Sequence, residues 1–82
     1  MELVKLTETI IKELVNDGDE VTVKEFPSEN EDEIVLQVMV PEKEMGRVIG
    51  REGRTAKAIR TIVQASSYIN GNKRVNINID SY

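Results

Sequence analysis

The residues that could do chemistry in this chain fall in one stretch, "GRVIGREGRTAKAIR", residues 46–60. Gly50 and Gly53 stand three residues apart there, among Arg47, Arg51, Arg54, Lys57 and Arg60. Glycine permits positive φ and the close approach of another backbone. A helix that starts after such a turn presents unpaired N–H groups and a partial positive charge, a geometry suited to phosphate. Arg51 would sit at the tip of the turn. Arg54 and Lys57 would line the first turns of the following helix on one side, with Arg47 one turn before the loop. The chemistry on offer is the holding of a polyanionic backbone along this edge, with bases turned toward Val48, Ile49 and the adjacent sheet edge. The blander reading, a tight helix-helix turn with a solvated basic face, uses the same glycines. The basic cluster and the order of elements around it favour the polyanion. Arg60 and Lys43 read as ordinary solvated charges.

Other chemistries have little to work with. The chain has neither histidine nor cysteine, which removes the commonest general base, the commonest metal ligand and all thiolate chemistry. The acids Glu29, Glu31, Asp32 and Glu33 lack the glycine and spacing of a calcium loop and read as a solvated loop. Gly46, Gly50 and Gly53 match neither a dinucleotide fingerprint nor a Walker loop. No catalytic residue, metal or cofactor is expected, and the chain does not read as an enzyme. Only Phe26, Tyr68 and Tyr82 are aromatic, which disfavours modules that stack bases on aromatic platforms.

The formal net charge of −4 hides an asymmetry. Residues 1–42 hold three lysines against twelve acids, whereas residues 43–60 hold six basic residues against two acids. Exposed charges act over about 8 Å at physiological salt, so the local excess around the turn outweighs the whole-chain total. No apolar run is long enough to span a membrane. The opening "MELVKLTETIIKELV" is amphipathic and contains acids, unlike a signal peptide. The expected location is the cytoplasm.

The positioning elements follow from periodicity. Leu3, Leu6, Ile10, Leu14 and Val15 recur at helical spacing, with Gly18 as the expected cap. "EVTVKEF" alternates and "EIVLQVMV" is almost continuously apolar, so the two form a hairpin whose second strand is central. Pro41 can open a helix, and Glu42 and Glu44 suit its positive end. Gly50 ends that helix, and another begins near Gly53 and runs through "RTAKAIRTIVQAS". "YINGNK" reads as a turn and "RVNINID" as a last strand. Residues 1–82 thus form one domain, helix-strand-strand-helix-helix-strand. The expected fold is an α+β two-layer sandwich, with helices on one face of a three-stranded mixed sheet. The last strand runs parallel to the second because two helices intervene.

"VIGREG" in this setting, followed by a helix with Ala56 and Ile59 at apolar positions, resembles the GxxG loop of KH domains. The element order matches the type II KH fold. The wording "GRVIGREGRTAKAIRTIV" is similar to the small bacterial single-KH RNA-binding proteins of the KhpA type, and the likeness covers essentially the whole chain. The resemblance implies single-stranded RNA binding, with a clamp on about four nucleotides, and a role as an RNA chaperone or post-transcriptional regulator. Carried over by position, Gly50, Arg51, Glu52 and Gly53 are the loop, Val48 and Ile49 line the groove, and Arg54 and Lys57 border it. Glu52 departs from a basic loop and would partly cancel Arg51. With about three phosphate contacts, log K against log salt should slope near −2.

The helix after the loop carries more apolar surface than one face needs. Ala56, Ile59 and Val63 form a core stripe. Ala58, Ile62 and Ala65 form a second, which a broad core could absorb or a second copy could cover. The resemblance implies a homodimer, and pairing with a larger Jag-type protein that carries its own KH domain. An alternative to RNA binding is therefore a dimerising protein-interaction adaptor in which RNA binding is weak.

Overall fold

A computed structural model describes residues 2–16 and 18–82. Helix α1 spans Leu3–Leu14, and strands β1 and β2 span Thr22–Phe26 and Glu33–Val40. A short helix α2, Met45–Ile49, precedes a long helix α3, Arg54–Asn70, and strand β3, Arg74–Ser81, closes the chain. The sheet order is β1-β2-β3. β1 pairs antiparallel with β2, and Val23 faces Val38. β2 pairs parallel with β3, and Leu36 faces Ile77. The expected central strand and mixed sheet are both present, and the architecture is that of a type II KH fold.

The core follows from the period-two pattern of the strands. Val23, Leu36, Val38, Val40 and Ile77 point to one side, where they pack in a single cluster with Ile11 of α1, Val48 of α2, and Ile59 and Val63 of α3. Alternate residues make the other sheet face, where the rows Lys24–Gln37–Asn78 and Phe26–Val35–Asn76 lie side by side. Among the described residues no helix covers that face, which explains why β3 can carry Asn76 and Asn78 there.

Two boundaries differ from the expectation. α1 stops at Leu14 because Val15 is already extended (φ −103°, ψ 160°), and Gly18 opens a separate 3-10 turn, Gly18–Glu20, instead of capping the helix. α3 runs on through Tyr68, Ile69 and Asn70, which the sequence assigns to a turn. It ends where the N–H groups of Gly71 and Asn72 both donate to the Ser67 carbonyl, each at 2.8 Å, with Asn72 in the left-handed region (φ 55°). Read as a turn, "YINGNK" implies an earlier stop. No residue before Gly71 obliges one, and Asn70 extends the helix by donating its side-chain amide to the Ser66 carbonyl at 2.8 Å.

Pro41 precedes a 3-10 turn, Glu42–Glu44, that leads into α2. Glu44 does not face solvent at the helix end. Its carboxylate is buried and accepts the Asn16 N–H at 2.5 Å. This bond fastens the segment after α1 to the start of α2, and so sets the base on which the loop stands.

Candidate nucleic-acid interface

The turn between α2 and α3 is built almost entirely from residues at positive φ. Gly50 (φ 77°), Glu52 (φ 58°) and Gly53 (φ 75°) all lie there. The Gly50 N–H closes α2 on the Gly46 carbonyl at 3.0 Å, and the Gly53 N–H closes the turn on the Gly50 carbonyl at 3.2 Å. The N–H groups of Arg51 and Glu52 come before any carbonyl that the turn itself could offer them. They stand at the positive end of α3, a helix of 17 residues.

The two glycines are not equivalent. A Cβ on Gly50 would lie 2.6 Å from Thr55 Cβ and 2.9 Å from the Thr55 backbone nitrogen, and would also collide with Thr55 Oγ1. A Cβ on Gly53 would meet nothing within 4 Å. Gly50 is the point where the turn packs back on α3, and Gly53 faces open space.

Arg47, Arg51, Arg54 and Lys57 are exposed around this turn, as the sequence implies. Two details depart from it. Glu52 does not set its carboxylate against Arg51; it pairs with Arg54, Oε2 to Nη2 at 3.3 Å. Val48, expected to line the groove, is fully buried in the core cluster. Its side chain anchors α2 from below and has no surface to offer a ligand. Ile49 is half-buried beside the loop. Arg47 is held from behind, its Nε 3.6 Å from Glu44 Oε1.

Beyond the loop, a cleft of about 490 Å³ runs between α3 and β3, lined by Lys57, Arg60, Gln64, Tyr68 and Val75 among others. Lys57 joins it to the turn. The side chains of α3 treat β3 as an unfinished ladder. The Gln64 amide donates to the Lys73 carbonyl at 2.9 Å and accepts the Val75 N–H at 2.8 Å, in the manner of a peptide group on a neighbouring strand. Arg60 turns its guanidinium to the Ile77 carbonyl, Nε and Nη2 each at 3.4 Å. Arg60 is therefore not the free surface charge expected of it. Sequence reasoning missed Gln64 altogether, although its place one turn beyond Arg60 on the same helix side was a usable signal.

The second α3 stripe is exposed. Ala58, Ile62 and Ala65 all face solvent, Ile62 at 51%. The extra helical turn adds Ile69, four residues past Ala65 and 83% exposed. Among the described residues there is no group of acids that could hold a metal ion, and no helix is long and apolar enough to cross a membrane.

The helix-strand-strand-helix-helix-strand order, the mixed sheet and the glycine-bounded turn between two helices define a KH domain. The chain belongs to the KH-domain family of KhpA and KhpB, whose sequence profile matches residues 4–79. It is 47% identical over 75 residues to the RNA-binding protein KhpA of Clostridium acetobutylicum, covering 92% of this chain and 96% of that one. It is 44% identical to the same-named protein of Clostridium perfringens over the same shares of both chains. Among solved structures it superposes on Aquifex aeolicus Era bound to GDP and aluminium fluoride with a TM-score of 0.71 at 15% identity, covering 98% of this chain and 30% of that one. It also superposes on Era in complex with MgGDPNP and a stretch of 16S ribosomal RNA, with a TM-score of 0.61 at 19% identity, over 99% of this chain and 31% of that one. The chain thus spans about a third of either Era chain, and these likenesses concern the fold.

Proposed function

We propose that this chain is a non-catalytic, cytoplasmic RNA-binding module that grips the phosphate backbone of single-stranded RNA at the Gly50–Gly53 loop. The observation that carries the reading is the concentration of Arg47, Arg51, Arg54 and Lys57 around the N-terminal end of α3, on a chain that is acidic elsewhere. A polyanion is drawn to this edge and repelled by residues 1–42, so the charge distribution orients it. The open side at Gly53 gives a backbone room to approach. Ile49 and the α3–β3 cleft supply a half-apolar wall for bases, and relatives at 47 and 44% identity carry the name RNA-binding protein. Contact mainly through phosphates gives weak, salt-sensitive binding with loose sequence preference, which suits an RNA chaperone or post-transcriptional regulator.

The reading is tested by titrating a fluorescent single-stranded 12-mer RNA with wild type and Arg51→Asp at low and physiological salt. Arg51 is exposed, so its replacement should leave the circular dichroism unchanged and weaken binding about tenfold or more, for reversal of a charge at the phosphate. Wild type that shows no salt-sensitive binding at high micromolar protein, or an Arg51→Asp variant that binds equally well, would end the clamp reading.

A second reading rests on the exposed stripe of Ala58, Ile62, Ala65 and Ile69. Small and large apolar residues alternate along it, which fits the same helix of a second copy, and we infer a homodimer through α3. The same surface would serve a larger Jag-type partner with its own KH domain. In the adaptor version of this reading that pairing is the main function and RNA binding is weak.

A further inference from the structure

Two of the four cations around the turn have a carboxylate partner within this chain, and the two pairs differ in kind. Arg47 is held by Glu44, whose side chain is 4% exposed and tied to the Asn16 backbone, so that pair belongs to the fold. Arg54 is held by Glu52 at 3.3 Å, with side chains 78% and 71% exposed. Among the described residues Arg51 and Lys57 make no ion pair. Glu52 also sits inside the loop itself, at a left-handed φ of 58° that a glutamate seldom adopts. The fold therefore places a carboxylate inside the turn, already engaged with one of the cations around it.

We propose that Glu52 is an internal competitor for RNA phosphate. Its carboxylate occupies the Arg54 guanidinium, so RNA is held through Arg51 and Lys57 and gains Arg54 only by displacing Glu52. This rests on the clamp reading above and sets its strength and selectivity. Carboxylate and phosphate offer a guanidinium the same paired oxygens, so the two occupancies exclude each other. The pair is exposed and within one chain, so it re-forms as soon as a phosphate leaves Arg54, and a polynucleotide bound to wild type rests on Arg51 and Lys57. A free phosphate or mononucleotide has no such second anchor. The loop thereby favours a chain of phosphates over single ones and releases it readily.

The test is a double-mutant cycle with the single-stranded 12-mer, with Kd measured across salt concentrations for wild type, Glu52→Gln, Arg54→Gln and the double variant. All four should share the wild-type circular dichroism and thermal midpoint, since both side chains are exposed. With about −0.7 in slope per phosphate contact on a single strand, wild type should show a slope of about −1.4, shallower than the slope of about −2 expected from three free contacts because Glu52 holds Arg54, and Glu52→Gln about −2.1. Glu52→Gln should bind roughly three- to tenfold more tightly at low salt, as one added phosphate contact implies. Arg54→Gln should cost less than about twofold in wild type, yet return both Kd and slope of Glu52→Gln to wild-type values. Arg51-dependent binding that ignores Glu52→Gln, or an equal cost of Arg54→Gln in both backgrounds, overturns this proposal and leaves the clamp standing. No salt-sensitive binding by wild type and Glu52→Gln alike overturns both.

Discussion

Gly50 and Gly53 have nearly the same φ, 77° and 75°, but stand in opposite surroundings. Gly50 is wedged against Thr55, the second residue of α3, and two residues before it Val48 is buried in the core. Gly53 has open space where its side chain would be, and beside it are the exposed cations. One glycine is required by packing and conformation together, the other by conformation alone. The turn is thus a boundary between a rear side packed against α3 and a front side of open space and exposed cations. The same division continues along α3. Ala56, Ile59, Val63 and Ser67 are buried, and the stripe from Ala58 to Ile69 is not.

Substitutions can break this contrast. The largest effect on stability should come from Gly50→Ala. Its backbone (φ 77°, ψ 175°) lies in a region almost reserved for glycine, at about 1–3 kcal/mol for another residue, and the collision with Thr55 adds to that. A total loss near 3 kcal/mol, read as a fall in thermal midpoint on the order of 15 °C, is expected. A fall under about 4 °C would show that the rear side is not tightly packed. Gly53→Ala should cost only the left-handed backbone, about 1–2 kcal/mol, and leave a folded protein on which RNA binding can be compared with wild type. A loss as large as that of Gly50→Ala would erase the distinction. Ile62→Asp should have the smallest effect, within about 0.5 kcal/mol for the monomer because the side chain is exposed. It should convert a wild-type dimer to a monomer in sedimentation. Wild type that already sediments as a monomer, or a variant that remains a dimer, removes the proposed role of the stripe.

Periodicity was a good guide wherever one element's own residues decide its state. The alternation in β1 and β3, the continuous apolarity of β2 and the glycine stop after Ile49 all correspond to observed elements. The misreadings share a cause. Gly18 looked like a cap, but Val15 leaves the helix earlier to send Val21 and Val23 into the core. The polar end of α3 looked like a turn, but Ser67 binds the chain beyond it and holds the helix through Asn70, which brings Ile69 into line with Ala58, Ile62 and Ala65. By position Val48 belongs to the groove, yet a helix of five residues needs such a residue to anchor it, and Val48 is buried in the core with Met45 packed against the same cluster. Arg60 reads as a solvated charge and Gln64 goes unnoticed, because spacing along α3 shows that the two share a side but not that β3 lies alongside with peptide groups for them to bond.

By itself the sequence determined which segments are helix or strand, their order, and that the positive charge gathers around two glycines. Those properties depend on side chains a few residues apart, within reach of helical or strand periodicity. Only the tertiary structure decided which glycine is packed and which is open, that Glu44 is buried behind Arg47, and that Glu52 faces Arg54 instead of Arg51. Each of these depends on the direction of a side chain after the elements have docked. Burial and the path of a turn through positive φ set that direction, and spacing along the chain does not.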